Sequence, residues 1–174
     1  MADLTLVLGG ARSGKSRHGE ALVRAASGVL PPVYIATAQA FDAEMEARIA
    51  RHRAERAGDG WQDIEAPQDL AEALASAPAG AAVLIDCLTL WLSNHLLAGH
   101  DLDAECRALR EALTARAGVV VAVANEVGLG IVPENALARR FRDAAGRLNQ
   151  DLAAQAGRVV FIAAGLPLVL KGQA

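Results

Sequence analysis

Short apolar runs alternate with longer stretches of helical periodicity along the chain, and within each run the apolar residues are continuous. Residues 4–8, 33–36, 82–85 and 119–124 read as strands, the last most strongly, and 61–64, 159–163 and 168–170 add shorter ones. Between them, residues 16–26, 42–56, 69–77, 88–97 and 103–117 predict helices. A longer helix, opened by Pro133 and Glu134, is expected to reach Ala156. Unbroken β-branched runs leave no polar face, so the strands are expected to be covered on both sides. Strand–helix alternation then gives an α/β fold with a mostly parallel central sheet and helices on both faces. In such a sheet, ligands sit beyond the carboxyl ends of the strands. Ala57-Gly58-Asp59-Gly60 has turn composition but is too short for a linker, so residues 1–174 are expected to form a single domain.

Composition narrows the class. The chain is 53% hydrophobic but only 3% aromatic, which requires a core of Ala, Leu, Val and Ile. A net charge of −3 lacks the basic excess of a nucleic-acid-binding surface. No apolar run approaches the roughly 20 residues that span a bilayer. Asp3 and the strand-like segment that follows do not fit a signal peptide, so a cytoplasmic protein is expected. Cys87 and Cys106 match no metal-ligand spacing and read as reduced, structural thiols in helix-like surroundings.

Candidate chemistry begins where the first strand meets the first helix. Gly9-Gly10-Ala11-Arg12-Ser13-Gly14-Lys15-Ser16 fits G-x-x-x-x-G-K-[ST], the phosphate-binding loop. The glycines let successive backbone N–H groups turn toward phosphate oxygens, and the helix N-terminus adds partial positive charge. Lys15 would reach the β- and γ-phosphates, and the Ser16 hydroxyl would ligate Mg²⁺. Of 17 basic residues only Lys15 and Lys171 are lysines, so an otherwise lysine-poor chain keeps one where a compact, flexible ammonium is needed. The expected architecture is that of a P-loop NTPase, RecA-like in its sheet. Asp86 closes the run Val83-Leu84-Ile85 and is the expected second Mg²⁺ ligand; a helix N-cap is its other reading.

There are four histidines: His18, His52, His95 and His100. His18 sits near the start of the first helix, and His95 and His100 flank a helix end, where a solvated or capping role is expected. On the charged helix, Glu44, Arg48, His52 and Arg56 share a face, beside a stripe of Met45 and Ile49 that would anchor the helix on the sheet. A histidine bracketed by cations is biased toward its neutral, nucleophilic form, but a solvated charged face gives the same pattern. Glu126 reads as a base, a metal-side carboxylate or a cap. Arg139, Arg140, Arg142 and Arg147 read as phosphate ligands or as ion pairs between subunits. To this point a kinase for another small metabolite, or a nucleotide-dependent switch, remains open.

Further motifs run the length of the chain. They are GGARSGKSRHGE at the start, YIATAQ (34–39), ARIARHR (47–53), LIDCLTLWLSN (84–94), NEVGLGIVPEN (125–135), FRDAAGRLNQDLA (141–153) and GLPLVLK (165–171). Together they resemble the bifunctional adenosylcobinamide kinase / adenosylcobinamide-phosphate guanylyltransferase family of cobalamin biosynthesis. The resemblance implies that ATP or GTP phosphorylates the aminopropanol hydroxyl of adenosylcobinamide. GTP then delivers GMP to that phosphate through a guanylylated histidine. It places the nucleophile in the stretch 48–53, where His52 is the histidine present, with Lys15 as the other catalytic residue. It also implies nucleotide contacts from the phosphate loop, from Ala36, Thr37 and Ala38, from Arg53, Ala54, Glu55 and Arg56, and from Glu65 and Asp86. Mg²⁺ would sit between Ser16 and Asp86. A homotrimer is implied, with the corrinoid near the subunit boundaries.

Overall fold

In the computed structural model, which describes residues 3–40, 43–56 and 58–173, seven strands form one sheet. They are β1 (Asp3–Gly9), β2 (Val33–Ala36), β3 (Gln62–Glu65), β4 (Val83–Asp86), β5 (Val119–Asn125), β6 (Arg158–Ala163) and β7 (Leu166–Lys171). The helices are α1 (Lys15–Ala26), α2 (Ala43–Arg56), α3 (Leu70–Ser76), α4 (Leu88–Ala98), α5 (Leu102–Ala115) and α6 (Ala136–Gln155). Asp42 and Ala57, assigned above to a helix and a turn, lie outside the described residues, as do the side chains of Glu44, Met45, Arg48, His52 and Glu55.

The order across the sheet is β3-β2-β4-β5-β1-β6-β7, and every pairing is parallel except β6 with β7. Period-two alternation splits the buried residues between two cores. Leu4, Leu6, Ile35, Val83, Ile85, Val120 and Ala122 join Leu70, Leu74, Trp91, Leu92, Leu109, Leu148 and Leu152 on the face covered by α3 to α6. Val7, Tyr34, Leu84, Val121 and Val123 face the other way, with Val23 of α1. There α1 packs close: a Cβ on Gly19 would stand 2.9 Å from Leu84 Cδ1 and 3.1 Å from Val123 Cγ2.

Two expectations shift. The final apolar run forms β7, but it pairs antiparallel and leaves Leu166, Leu168 and Leu170 more than half exposed, because β7 is the edge strand with β6 as its sheet neighbour. The last long helix starts after Pro133 and Glu134. The Asn135 carboxamide oxygen accepts from Leu137 N and Ala138 N, so Asn135 is the cap, and the carbonyls of Pro133 and Glu134 accept from Arg139. No helix among the described residues is long and apolar enough to cross a membrane.

The turn between α3 and β4 is held by a buried cation. Arg116, just past α5, donates to the carbonyls of Leu74, Ala77, Pro78 and Ala81 at 2.7–3.2 Å. Removing the guanidinium strands several carbonyls away from water. Arg116→Met is therefore expected to lower unfolding free energy by about 3 kcal/mol, measured by urea denaturation, with the sheet's circular dichroism unchanged.

Candidate active site

The parallel pairing brings the carboxyl ends of five strands to one edge. Gly9 pairs with Asn125, Asp86 with Val123 and with Ala36, and Ala36 with Glu65. Two strand spacings, roughly 10 Å, separate β1 from β4, which opens a cleft between the phosphate loop and Asp86. The cleft is about 480 Å³ and is lined by Ala11, Arg12, Lys15 and Ser16 on one side and by Ala36, Ala38 and Asp86 on another.

The loop is shaped by its neighbours in the sheet. Gly14, the residue before α1, has φ 95°, a left-handed conformation that glycine adopts without a Cβ penalty. Ser13 O accepts from Gly165 N at 2.9 Å, and Gly9 O accepts from Glu126 N at 3.0 Å, so the ends of β6 and β5 brace the turn from both flanks. Lys15 is only 8% exposed and donates to Gly10 O at 2.9 Å, folded over the loop it belongs to. Among the described residues no side-chain cap bond closes the N-terminus of α1, and its first turn holds no acid, which leaves its leading N–H groups at the cleft's edge suited to an anion.

Asp86 is held from β2. The Tyr34 hydroxyl donates to Asp86 Oδ2 at 2.8 Å. Burial, then the neighbouring carboxylate, raises the Tyr34 pKa far above the usual tyrosine value, so the phenol stays protonated and donating. The Arg56 guanidinium lies 3.5 Å from the Tyr34 ring centroid, Arg56 is 5% exposed, and Nη2 lies 3.4 Å from Asp63 Oδ2. Among the described residues nothing accepts from Arg56 Nε or Nη1. Trp61 stacks edge-on against Tyr34, and Arg24, which pairs with Asp59, covers Trp61. This column ties the end of α2 and the turn after it to the sheet.

Residues expected from the sequence sort clearly. Ile49, Arg53 and Arg56 of α2 line the same cleft as Lys15 and Ser16. Arg53 pairs with Glu65 at the end of β3. Thr37 does not line the cleft. It is fully buried, its hydroxyl donates to Cys87 O at 2.7 Å and accepts from Cys87 N at 2.8 Å, and Asn94 donates to its carbonyl. It latches the ends of β2 and β4, while Ala36 and Ala38 beside it reach the cavity. Glu126 lines the cleft but also accepts from Gly128 N at 2.5 Å, a local turn bond. Cys87 is not helical: it is the extended residue before α4, on the cleft wall, and burial pushes its thiol up to about 11, so it is neutral and poorly nucleophilic near pH 7. Cys106 lies within α5, and both thiols are free. His18 is half-buried with a lowered pKa, from burial and then Arg158. His95 is not solvated at all, being 3% exposed, and Gly99 ends α4 in its place.

Sequence reasoning did not single out Tyr34 or Leu90 as part of the cleft, whereas Asn125 and Val127 fall in the segment 125–135 quoted above. A signal existed for Tyr34, the single tyrosine of an aromatic-poor chain, two residues before the strand end.

Residues 5–170 match the family described as cobinamide kinase / cobinamide phosphate guanyltransferase. The bifunctional adenosylcobalamin biosynthesis protein CobP of Pseudomonas aeruginosa is 52% identical over 97% of this chain and 97% of its own. The corresponding CobU of Escherichia coli is 44% identical over 97% of this chain and 99% of its own. Among solved structures, an ATPase from the type III secretion system of pathogenic bacteria superposes with TM-score 0.55 at 9% identity, covering 96% of this chain and 56% of that one, a likeness of fold.

Freeing Asp86 from its phenol tests the geometry. Tyr34→Phe removes a hydrogen bond to a carboxylate, worth about 1.5 kcal/mol, and is expected to weaken Mg²⁺-dependent nucleotide binding about tenfold. Calorimetric titration with and without Mg²⁺ measures this, and the metal-free affinity should be nearly unchanged.

Proposed function

The chain belongs to the cobinamide kinase / cobinamide phosphate guanyltransferase family, and from that premise we propose how its cleft performs both reactions. It is a bifunctional enzyme of adenosylcobalamin biosynthesis: it phosphorylates adenosylcobinamide and then transfers GMP to the product. The observation that carries the mechanism is that α2 residues Ile49, Arg53 and Arg56 line the same cavity as Lys15 and Ser16 of the phosphate loop.

For the kinase step, the triphosphate of ATP or GTP lies along the loop, its oxygens accepting from backbone N–H groups between Gly9 and Ser16. Lys15 would exchange its bond to Gly10 O for the β- and γ-phosphates. The substrate's hydroxyl oxygen attacks the γ-phosphorus, the bond to the β-bridging oxygen breaks, the nucleoside diphosphate leaves, and the hydroxyl proton is lost. Ser16 and Asp86 offer a hydroxyl and a carboxylate on opposite walls of the cleft, hard oxygen donors that suit Mg²⁺. When bound, that ion would neutralise charge on the transferring phosphates.

For the transferase step, His52 is the nucleophile. Its α2 neighbours Ile49, Arg53 and Arg56 line the cleft, which supports giving the role to His52. Its imidazole nitrogen would attack the α-phosphorus of GTP and release pyrophosphate. An oxygen of adenosylcobinamide phosphate then displaces the histidine and gives adenosylcobinamide-GDP. Arg56, with two guanidinium nitrogens unpartnered among the described residues, and Arg53 would hold the nucleotide's phosphates. Ala54, Glu55 and Glu65 would complete the nucleotide contacts. A plain small-molecule kinase would need no such nucleophile.

Homotrimer formation draws support from apolar residues left in water. Leu129, Ile131, Val132 and Leu137 after β5, with Leu166, Leu168 and Leu170 on β7, are surfaces that self-association would bury. A cytoplasmic setting fits the two free thiols.

Incubation with GTP labelled at the α-phosphate, then denaturation, should leave label on the wild-type protein, lost in acid and kept in alkali as a phosphorus–nitrogen bond requires. His52→Ala should retain no label while still phosphorylating adenosylcobinamide, and Lys15→Ala should lose phosphorylation. Equal labelling of wild type and His52→Ala would refute the assignment. Light scattering should give a trimer mass that Ile131→Asp lowers.

A further inference from the structure

Away from the cleft, three ligand-type atoms converge where α4 turns into α5. His95 on the last turn of α4, His100 in the joint and Glu105 on the first turns of α5 place a ring nitrogen or carboxylate oxygen each, all within 4.8 Å of one another. His95 Nδ1 lies 2.9 Å from His100 Nδ1 and 3.9 Å from Glu105 Oε1.

The chemistry around His95 settles which of its nitrogens points inward as a lone pair. Its Nε2 lies 3.1 Å from Gln68 O, and a carbonyl only accepts, so Nε2 carries the proton. Trp91 Nε1 donates to the same carbonyl at 2.7 Å, and the Trp91 ring packs edge-on against the imidazole at 4.7 Å, which fixes the ring's plane. In neutral His95, Nδ1 is then an unprotonated lone pair aimed at a second imidazole nitrogen and a carboxylate. Three electron-rich atoms around one point repel unless a proton or a cation lies among them. A ligating histidine whose other N–H donates to a backbone carbonyl is the usual outer-shell arrangement of a metal site.

We propose that His95 Nδ1, His100 Nδ1 and the Glu105 carboxylate bind a divalent first-row transition ion of the Zn²⁺ type that clamps α4 to α5. The donor set, two imidazoles and one carboxylate, suits Zn²⁺ better than Mg²⁺ or Ca²⁺, which prefer all-oxygen shells. With ligand bonds near 2.0–2.1 Å, tetrahedral ligand atoms stand about 3.4 Å apart, and the 2.9 and 3.9 Å separations bracket that value. Glu105 has the freedom to close the remainder, its side chain being 37% exposed. His100 lies at the surface, so ions reach the site from solvent and a water can take the fourth position.

The test uses the full chain, stripped with a chelator and kept free of nucleotide and Mg²⁺. Titration with Zn²⁺ against a chromophoric chelator should show one tight equivalent, and Co²⁺ in its place should give visible ligand-field bands. His100→Ala and Glu105→Gln alter exposed or half-exposed side chains and should leave the metal-free melting temperature unchanged. Each should weaken Zn²⁺ binding by at least 100-fold, more than the 10–100-fold typical of losing an outer-shell partner. Zn²⁺ should raise the melting temperature of wild type only. Absence of tight Zn²⁺ binding, or binding unchanged in both variants, would overturn the site. So would a His100→Ala variant that melts lower without metal while Zn²⁺ moves neither protein, since the two imidazoles would then share only a hydrogen bond.

Discussion

Helix α1 begins without a side-chain cap and without an acid in its first turn, and the organisation of the cleft follows from that deficit. The leading N–H groups of a helix need acceptors. In α5 and α6 the side chains of Asp101 and Asn135 supply them. At α1 the preceding residue is Gly14 in a left-handed conformation, and Lys15 folds back over the turn, a helix start suited to an anion from outside. The sheet order sets the opposite wall: β5 lies between β1 and β4, which holds Asp86 two strands from the loop, wide enough for a polyphosphate and its cation. Four cations, Arg12, Lys15, Arg53 and Arg56, and two carboxylates, Asp86 and Glu126, line the cavity, a positive balance suited to a triphosphate.

The two reactions of this family make different demands on that cavity. In the mechanism proposed above, attack at the γ-phosphorus would use the loop, the lysine and the strand-end carboxylate. Attack at the α-phosphorus needs a nucleophile brought in from elsewhere, and α2 is the element that borders the cleft from the side. Its end is pinned by Arg56 over Tyr34, and Tyr34 in turn orients Asp86. The side that would carry the guanylyl group is thus coupled through one phenol to the carboxylate that would hold the metal.

Much of this was legible in the sequence where the signal is local. Continuous apolar runs marked the central strands because both faces of β1, β4 and β5 are buried. The loop motif and Asp86 were legible because each sits at a strand end, where a polar residue interrupts an apolar run. What escaped depends on contacts between distant positions. Tyr34 meets Asp86 from 52 residues away. Thr37 turns inward because Cys87 offers it both a donor and an acceptor. The apolar run of β7 looks like that of a buried strand, yet its exposure is decided by its place at the sheet edge. His52 stood out only weakly by periodicity, since a solvated charged face gives the same pattern; the family resemblance singled it out.

The central claim is that the backbone N–H groups between Gly10 and Ser16 form the anion site on which both reactions turn. Backbone hydrogen exchange with and without Mg²⁺ and a non-hydrolysable GTP analogue tests it directly. The largest protection is expected at the amides of residues 10–16, with a smaller effect around Asp86 at the end of β4. Unchanged exchange at the loop, with protection confined to another part of the chain, would contradict it.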